Sequence, residues 1–127
     1  METAESKKIL IVEDDLALRK VLVDKLNDEG FNVLEAENGV RGIDVALREH
    51  PALILLDIFM PKMDGISMLG KLRSADSWGK HVLVIILTNS TDADTIARVT
   101  GLGATDFLIK SEWSLEALVA RIRERVG

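Results

Sequence analysis

The chain has 127 residues, no cysteine, a hydrophobic fraction of 47% and a formal net charge of -5. That is enough for one domain around a single core, and it excludes a disulfide framework, a thiolate metal site and a cysteine nucleophile. The acidic balance disfavours nucleic acid or an anionic membrane as a direct ligand, because both need concentrated Lys and Arg. No apolar run reaches membrane-spanning length and the first residues lack a signal-peptide core, so the expected location is the cytoplasm.

Residues 1–6 are polar and expected to fray. Lys8 to Val12 then form a β-branched-rich run typical of a strand buried on both faces. It ends in Glu13, Asp14 and Asp15. From Leu16 to Glu29, apolar residues Leu18, Val21, Leu22 and Leu26 recur at helical spacing, with Asp14 or Asp15 as cap and Gly30 as stop. Phe31 to Ala36 reads as a second strand and Glu37-Asn38-Gly39 as a turn and cap. Val40 to Glu49 is a second helix, with Ile43, Ala46 and Leu47 as its inner face. His50-Pro51 ends it, since a residue before proline avoids the helical region.

Leu53 to Asp57 is a third strand, closed by a carboxylate and followed by a loop through Pro61 to Gly65. A helix from about Ile66 to Arg73 turns Met68, Leu69 and Leu72 inward, and Ser74 to Lys80 reads as a loop holding Trp78 and Gly79. Val82 to Leu87 is a fourth strand leading into Thr88, Asn89 and Ser90. A fourth helix, Ala93 to Thr100, is capped by Asp92 and closed by Gly101 and Gly103. Asp106 to Ile109 is a short fifth strand ending in Lys110, and Ser114 caps a fifth helix from Leu115 to about Arg125. His50 and His81 lack the spacing of a paired metal site and read as loop residues.

Five strand-helix alternations joined by short loops predict an α/β fold: a parallel sheet with right-handed crossovers and helices on both faces. Such folds place ligands beyond the carboxyl ends of the strands. Those ends carry Glu13, Asp14 and Asp15, then Asp57, Thr88 and Lys110, while the second strand ends in nothing comparable. Several carboxylates in one cleft repel unless a cation intervenes, and a hard ion such as magnesium would neutralise them. One acid would suffice to cap the first helix; three point to more. A lysine and a hydroxyl opposite a carboxylate are the groups that hold a transferring phosphoryl group. Asp57 would be the nucleophile, ionised at neutral pH on its reference pKa of ~3.9 and needing no general base.

The ordered motifs Ile-Leu-Ile-Val-Glu-Asp-Asp, Leu-Leu-Asp-Ile-Phe-Met-Pro-Lys-Met-Asp-Gly, Ile-Ile-Leu-Thr and Phe-Leu-Ile-Lys resemble the receiver domain of two-component response regulators, over Lys8 to Arg125. The resemblance implies one receiver domain across residues 1–127, with the flavodoxin-like doubly wound (βα)5 fold and a five-stranded parallel sheet in the order 2-1-3-4-5. It implies that Asp57 takes a phosphoryl group from a histidine kinase or histidine phosphotransfer protein. Magnesium, for which manganese could substitute, would be held by Asp14, Asp57 and the backbone carbonyl of Phe59, with Glu13 acting through water and Asp15 as a cap. Thr88 would bond one phosphoryl oxygen and Lys110 another. Phe107 matches an aromatic switch position, coupling Thr88 to the surface of the fourth helix, fifth strand and fifth helix, where a downstream protein would bind. The implied protein is a monomer or weak dimer that catalyses only its own phosphorylation and dephosphorylation.

Three positions depart from the family pattern. Ser111 stands where a proline usually follows the lysine; a cis bond before serine would cost roughly 3–4 kcal/mol, so a trans loop is expected, with Ser114 set one residue further on. Asn89 replaces a small residue and narrows phosphodonor access. Phe59 lies beside the path of attacking water, which predicts slow loss of the phosphoryl group.

The alternatives are a phosphorylation-independent docking platform, an aspartyl-phosphate phosphatase or phosphotransferase, and a nucleotide-binding module. The intact acid, threonine and lysine set opposes the first. Phe59, where a dehalogenase-type phosphatase needs an acid, opposes the second. The third lacks any glycine-rich phosphate loop after the first strand.

Overall fold

A computed structural model describes residues 7–60, 62–89 and 92–127. The expectations for residues 1–6, and for Pro61 and Ser90, lie outside these. The elements run β1 (Lys8–Val12), α1 (Leu16–Asp28), β2 (Asn32–Ala36), α2 (Gly39–Glu49), β3 (Leu53–Asp57), α3 (Gly65–Ala75), α4 (Ser77–His81), β4 (Leu83–Thr88), α5 (Ala93–Gly101), β5 (Asp106–Ile109) and α6 (Leu115–Val126). The strands form one parallel sheet in the order β2-β1-β3-β4-β5. The predicted α/β class and strand order both hold.

The continuous apolar runs have a two-sided cause. Leu10, Ile54 and Val84 point to the layer of α2, α3 and α5, where they meet Ala46, Met68, Leu72 and Val99. Their neighbours Ile9, Leu53 and Ile85 point to α1 and α6, against Leu22, Leu26 and Ile122. Because successive strand side chains alternate, a strand in the middle of a doubly covered sheet needs an apolar residue at every position. Each large side chain removed from water contributes about 1.5–3 kcal/mol. The edge strands β2 and β5 are only partly buried, and their sequences are correspondingly mixed.

Each helix that follows a strand begins at the strand's carboxyl end, and side-chain caps fix those starts. Asp15 accepts from the Leu18 amide at 3.1 Å, Asn38 from Arg41 at 2.8 Å, Asp64 from Ser67 at 2.8 Å and Ser114 from Ala117 at 3.1 Å. A cap of this kind contributes about 1 kcal/mol. Together they bring helix amino termini to the same sheet edge as the strand ends.

The structure corrects the reading in three places. Ser74 to Lys80 is not a loop: α3 continues to Ala75, Asp76 caps Gly79 at 2.6 Å, and a short helix α4 follows. The turn is tight enough that a Cβ on Gly79 would run into the Leu72 carbonyl. Trp78 stacks on His50, with ring centroids 4.2 Å apart and planes 9° from parallel; His50 ends α2 as expected and is packed there as its cap. His81, read as a loop residue, is the last residue of α4. Val21, expected inside, is 46% exposed, because α1 buries only the narrow stripe through Leu22 and Leu26. With α4 inserted, the helices flanking β5 are α5 and α6.

No described peptide bond is cis, as expected at Lys110-Ser111. The loop closes there as a turn, with the Glu112 amide donating to the Ile109 carbonyl at 2.9 Å.

Candidate functional site

Parallel pairing carries residues remote in sequence to one edge. Glu13 follows β1, Asp57 is the last residue of β3, Thr88 the last of β4, and Lys110 follows β5. Oxygens of Glu13, Asp14 and Asp57 all lie within 4.8 Å of one another. Glu13 and Asp57 are buried and Asp14 is exposed, so the cluster has a closed floor and an open side. The Lys110 Nζ donates to Glu13 Oε1 at 2.8 Å and lies 3.3 Å from Asp57 Oδ2.

The acid-bearing turn after β1 is held at several points. The Glu13 amide donates to the Ala36 carbonyl at 3.0 Å, and the Asp15 amide donates to Glu13 Oε2 at 3.0 Å. Arg19, one turn into α1, donates through Nη1 to the Glu13 carbonyl at 2.7 Å and through Nε to Glu35 at 3.0 Å. Asp15 is therefore the cap of α1, as expected, while Asp14 is the residue left to face outward. Beneath Asp57 the chain doubles back: the Gly65 amide donates to the Ile58 carbonyl at 2.7 Å, and a Cβ at Gly65 would lie 2.8 Å from the Ile58 Cα and collide with the Asp57 carbonyl.

Burial pushes the Asp57 carboxyl up to about 7, reinforced by the negative charge of Glu13 and opposed by Lys110. In the metal-free pocket Asp57 therefore holds its proton to higher pH than its reference value implies. For Lys110 burial acts downward, but the hydrogen bond to Glu13 and the charge of Asp57 outweigh it and hold the ammonium above its usual range. Two buried acids sharing one lysine leave negative charge uncompensated. The donor set fits a magnesium ion: oxygens on one such ion lie roughly 3–4 Å apart, and these carboxylates are already gathered within 4.8 Å.

Thr88 is fully buried, one position beyond the residue that pairs with Asp57 in the β3/β4 register, and its carbonyl accepts from the Lys110 amide at 2.8 Å. Phe107 is half-buried, lies opposite Ile86 and packs against the core shared with Val99 of α5. The Phe59 side chain is 62% exposed, two residues past Asp57, and Asn89 is exposed beyond Thr88. Arg19 escaped the sequence reading, and Gly65 was placed only as the end of the loop before the third helix. An arginine one turn into an amphipathic helix looks like any solvated residue, and the glycine looks like an ordinary turn.

Among known proteins, residues 9–123 match the response regulator receiver domain. The chain is 36% identical over 121 residues to a probable transcriptional regulator ycf27 of Porphyridium aerugineum, covering 94% of this chain and 48% of that protein, so it spans about half the length of such relatives. It is 36% identical over 105 residues to the sporulation initiation phosphotransferase F of Bacillus subtilis, covering 83% of this chain and 82% of the relative. Chemotaxis protein CheY4 of Vibrio cholerae superposes with a TM-score of 0.87 at 26% identity, covering 94% of this chain and 98% of the other. The receiver domain of the sensor histidine kinase PA1611 of Pseudomonas aeruginosa, with magnesium coordinated in its active-site cleft, superposes at 0.86 and 26% identity over 96% of this chain and 98% of the other. With strand order, acidic pocket and family match in agreement, the chain belongs to the response regulator receiver domain family.

Proposed function

We propose that this receiver takes a phosphoryl group onto Asp57 from a phosphohistidine on a histidine kinase or histidine phosphotransfer protein, and that the transfer requires magnesium. The observation that carries the reading is the convergence of Glu13, Asp14 and Asp57 oxygens within 4.8 Å, with Lys110 3.3 Å from Asp57. In the transfer an Asp57 carboxylate oxygen forms the new bond to phosphorus while the P–N bond breaks. The electron pair leaves on the imidazole nitrogen, which then takes a proton from solvent. Lys110, relinquishing Glu13, pairs with one phosphoryl oxygen, and the Thr88 hydroxyl bonds another. A bound divalent ion would be held by Asp14, Asp57 and the Phe59 carbonyl, with Glu13 through water. The chemistry it supplies is neutralisation of the carboxylates and of the phosphoryl oxygens.

Movement of Thr88 toward the phosphoryl group would free space for Phe107 and alter the face of α5, β5 and α6, where a downstream protein would bind. The phosphotransferase named among the relatives supports a place in phosphoryl relay. Among the described residues no helix is long and apolar enough to cross a membrane. Phosphorylation by a histidine kinase or phosphotransfer protein would take place in the cytoplasm, on a receiver unit that is monomeric or weakly dimeric. The test is labelling by a small-molecule phosphodonor in magnesium, read by intact mass. Wild type should gain one phosphoryl group and Asp57→Asn none; label retained on the variant would move the acceptor elsewhere.

A further inference from the structure

We infer that Arg19 is a positioning residue for the metal site, acting through the backbone of the acidic turn and not through its charge. The inference rests on the magnesium reading of Glu13, Asp14 and Asp57. Arg19 belongs to α1, yet its guanidinium reaches back to the carbonyl of Glu13 at 2.7 Å and across to Glu35 of β2 at 3.0 Å. Its side chain is only 14% exposed, whereas Glu35 is 55% exposed, so the arginine is the enclosed partner and the glutamate an outer tether. One planar fork thus joins the start of α1 to the carboxyl ends of β1 and β2.

The carbonyl it grips belongs to the peptide linking Glu13 to Asp14. Fixing that peptide plane fixes where the exposed Asp14 carboxylate stands relative to the buried Glu13 and Asp57. Without the clamp, repulsion among three neighbouring acids would favour opening the turn, and the cost of gathering them again would be drawn from metal affinity. Outer partners that orient ligands in this way typically alter affinity by about 10- to 100-fold when removed. A positive charge beside a cation site acts in the opposite direction, so the two roles predict opposite signs. If orientation governs, loss of Arg19 weakens magnesium binding; if charge governs, loss of Arg19 tightens it.

The experiment is calorimetric titration of the whole chain with magnesium for wild type, Arg19→Met, Arg19→Lys and Glu35→Ala, with circular dichroism to confirm folding. Phosphorylation rates are measured at saturating magnesium. Arg19→Met should raise the magnesium Kd by about tenfold. Arg19→Lys, which keeps the charge but cannot fork, should fall between it and wild type, and Glu35→Ala should raise the Kd by a smaller factor. At saturating magnesium every variant should be labelled within about twofold of wild type, since an orienting contact is recovered once the ion is bound. An unchanged or lower Kd in folded Arg19→Met overturns the inference, as does a saturated rate that falls with the affinity. A wild type that binds no magnesium removes the reading beneath it, and a wild type that binds magnesium with indifferent variants leaves that reading standing and removes only the role of Arg19. Should Arg19→Met fail to fold, Glu35→Ala decides: a Kd equal to that of wild type overturns the clamp.

Discussion

The Lys110 ammonium stands 2.8 Å from the Glu13 carboxylate, joining residues 97 positions apart, and only 3.3 Å from Asp57. In this arrangement the lysine is shared between the two buried acids and leans toward Glu13. A phosphoryl group on Asp57 or a cation beside Glu13 would shift that balance, so the lysine reports which charges occupy the pocket.

Replacing Lys110 with Ala leaves Glu13 and Asp57 buried with no ammonium between them. The expected loss in magnesium-free buffer at pH 8 is about 2–3 kcal/mol, below the range for a fully enclosed pair because Lys110 is partly solvated. Saturating magnesium should recover part of it by neutralising the same acids. Denaturant unfolding with and without the ion measures both; a variant as stable as wild type at pH 8 contradicts the shared-lysine arrangement.

Asp57→Asn should stabilise the magnesium-free protein at neutral and alkaline pH. The folded carboxyl titrates at about 7, above its ordinary value of 3.8. A raised folded pKa contributes stability that is full below the unfolded value and is lost as pH rises through the folded one. Wild type should therefore weaken between about pH 4 and 7, and the amide variant should not share that loss. The gap is expected near zero at pH 4 and on the order of 2–4 kcal/mol at pH 8. Unfolding curves across that range in a chelator check it; an Asn variant no more stable at pH 8 would contradict a buried charge that Lys110 only partly compensates.

Phe59 stands exposed two residues beyond Asp57, and its ring cannot hydrogen-bond a water attacking the phosphoryl group. Phe59→Asn supplies an amide there and should hasten loss of the label by roughly three- to tenfold, the scale of modest improvement in orientation. Decay of phosphorylated protein after removal of donor gives the rate. A slower variant would sink the idea.

Gly65→Ala should be costly for the first residue of a helix. A Cβ there meets the Asp57 carbonyl and the Ile58 Cα, neither of which can move without displacing the end of β3. The expected loss is about 2–3 kcal/mol, in the range of overpacking a well-filled site, together with weaker magnesium binding. Thermal unfolding tests the first part and calorimetry the second; an alanine variant with wild-type values for both would show that the start of α3 can move away from the end of β3 freely.

The residues themselves determined the sheet. Runs such as Ile9 to Val12 and Leu53 to Leu56 are apolar at every position because helices cover both faces, and caps such as Asp15, Asn38 and Ser114 mark helix starts by local hydrogen bonding. The acids, threonine and lysine at strand ends were equally legible, since parallel pairing sends all such ends to one edge. What only the tertiary structure decided are quantities that sum over neighbours from distant segments. The helix α4 depends on Gly79 passing against Leu72 and Trp78 stacking on His50, and the exposure of Val21 depends on how α1 is seated. The proton affinity of Asp57 depends on burial, Glu13 and Lys110 together, and the fork of Arg19 on where β2 ends. Local sequence encodes which backbone each segment prefers and what chemistry it carries; the packed fold sets the separations between charges, and those separations determine how the acids, the lysine and the arginine at this edge behave.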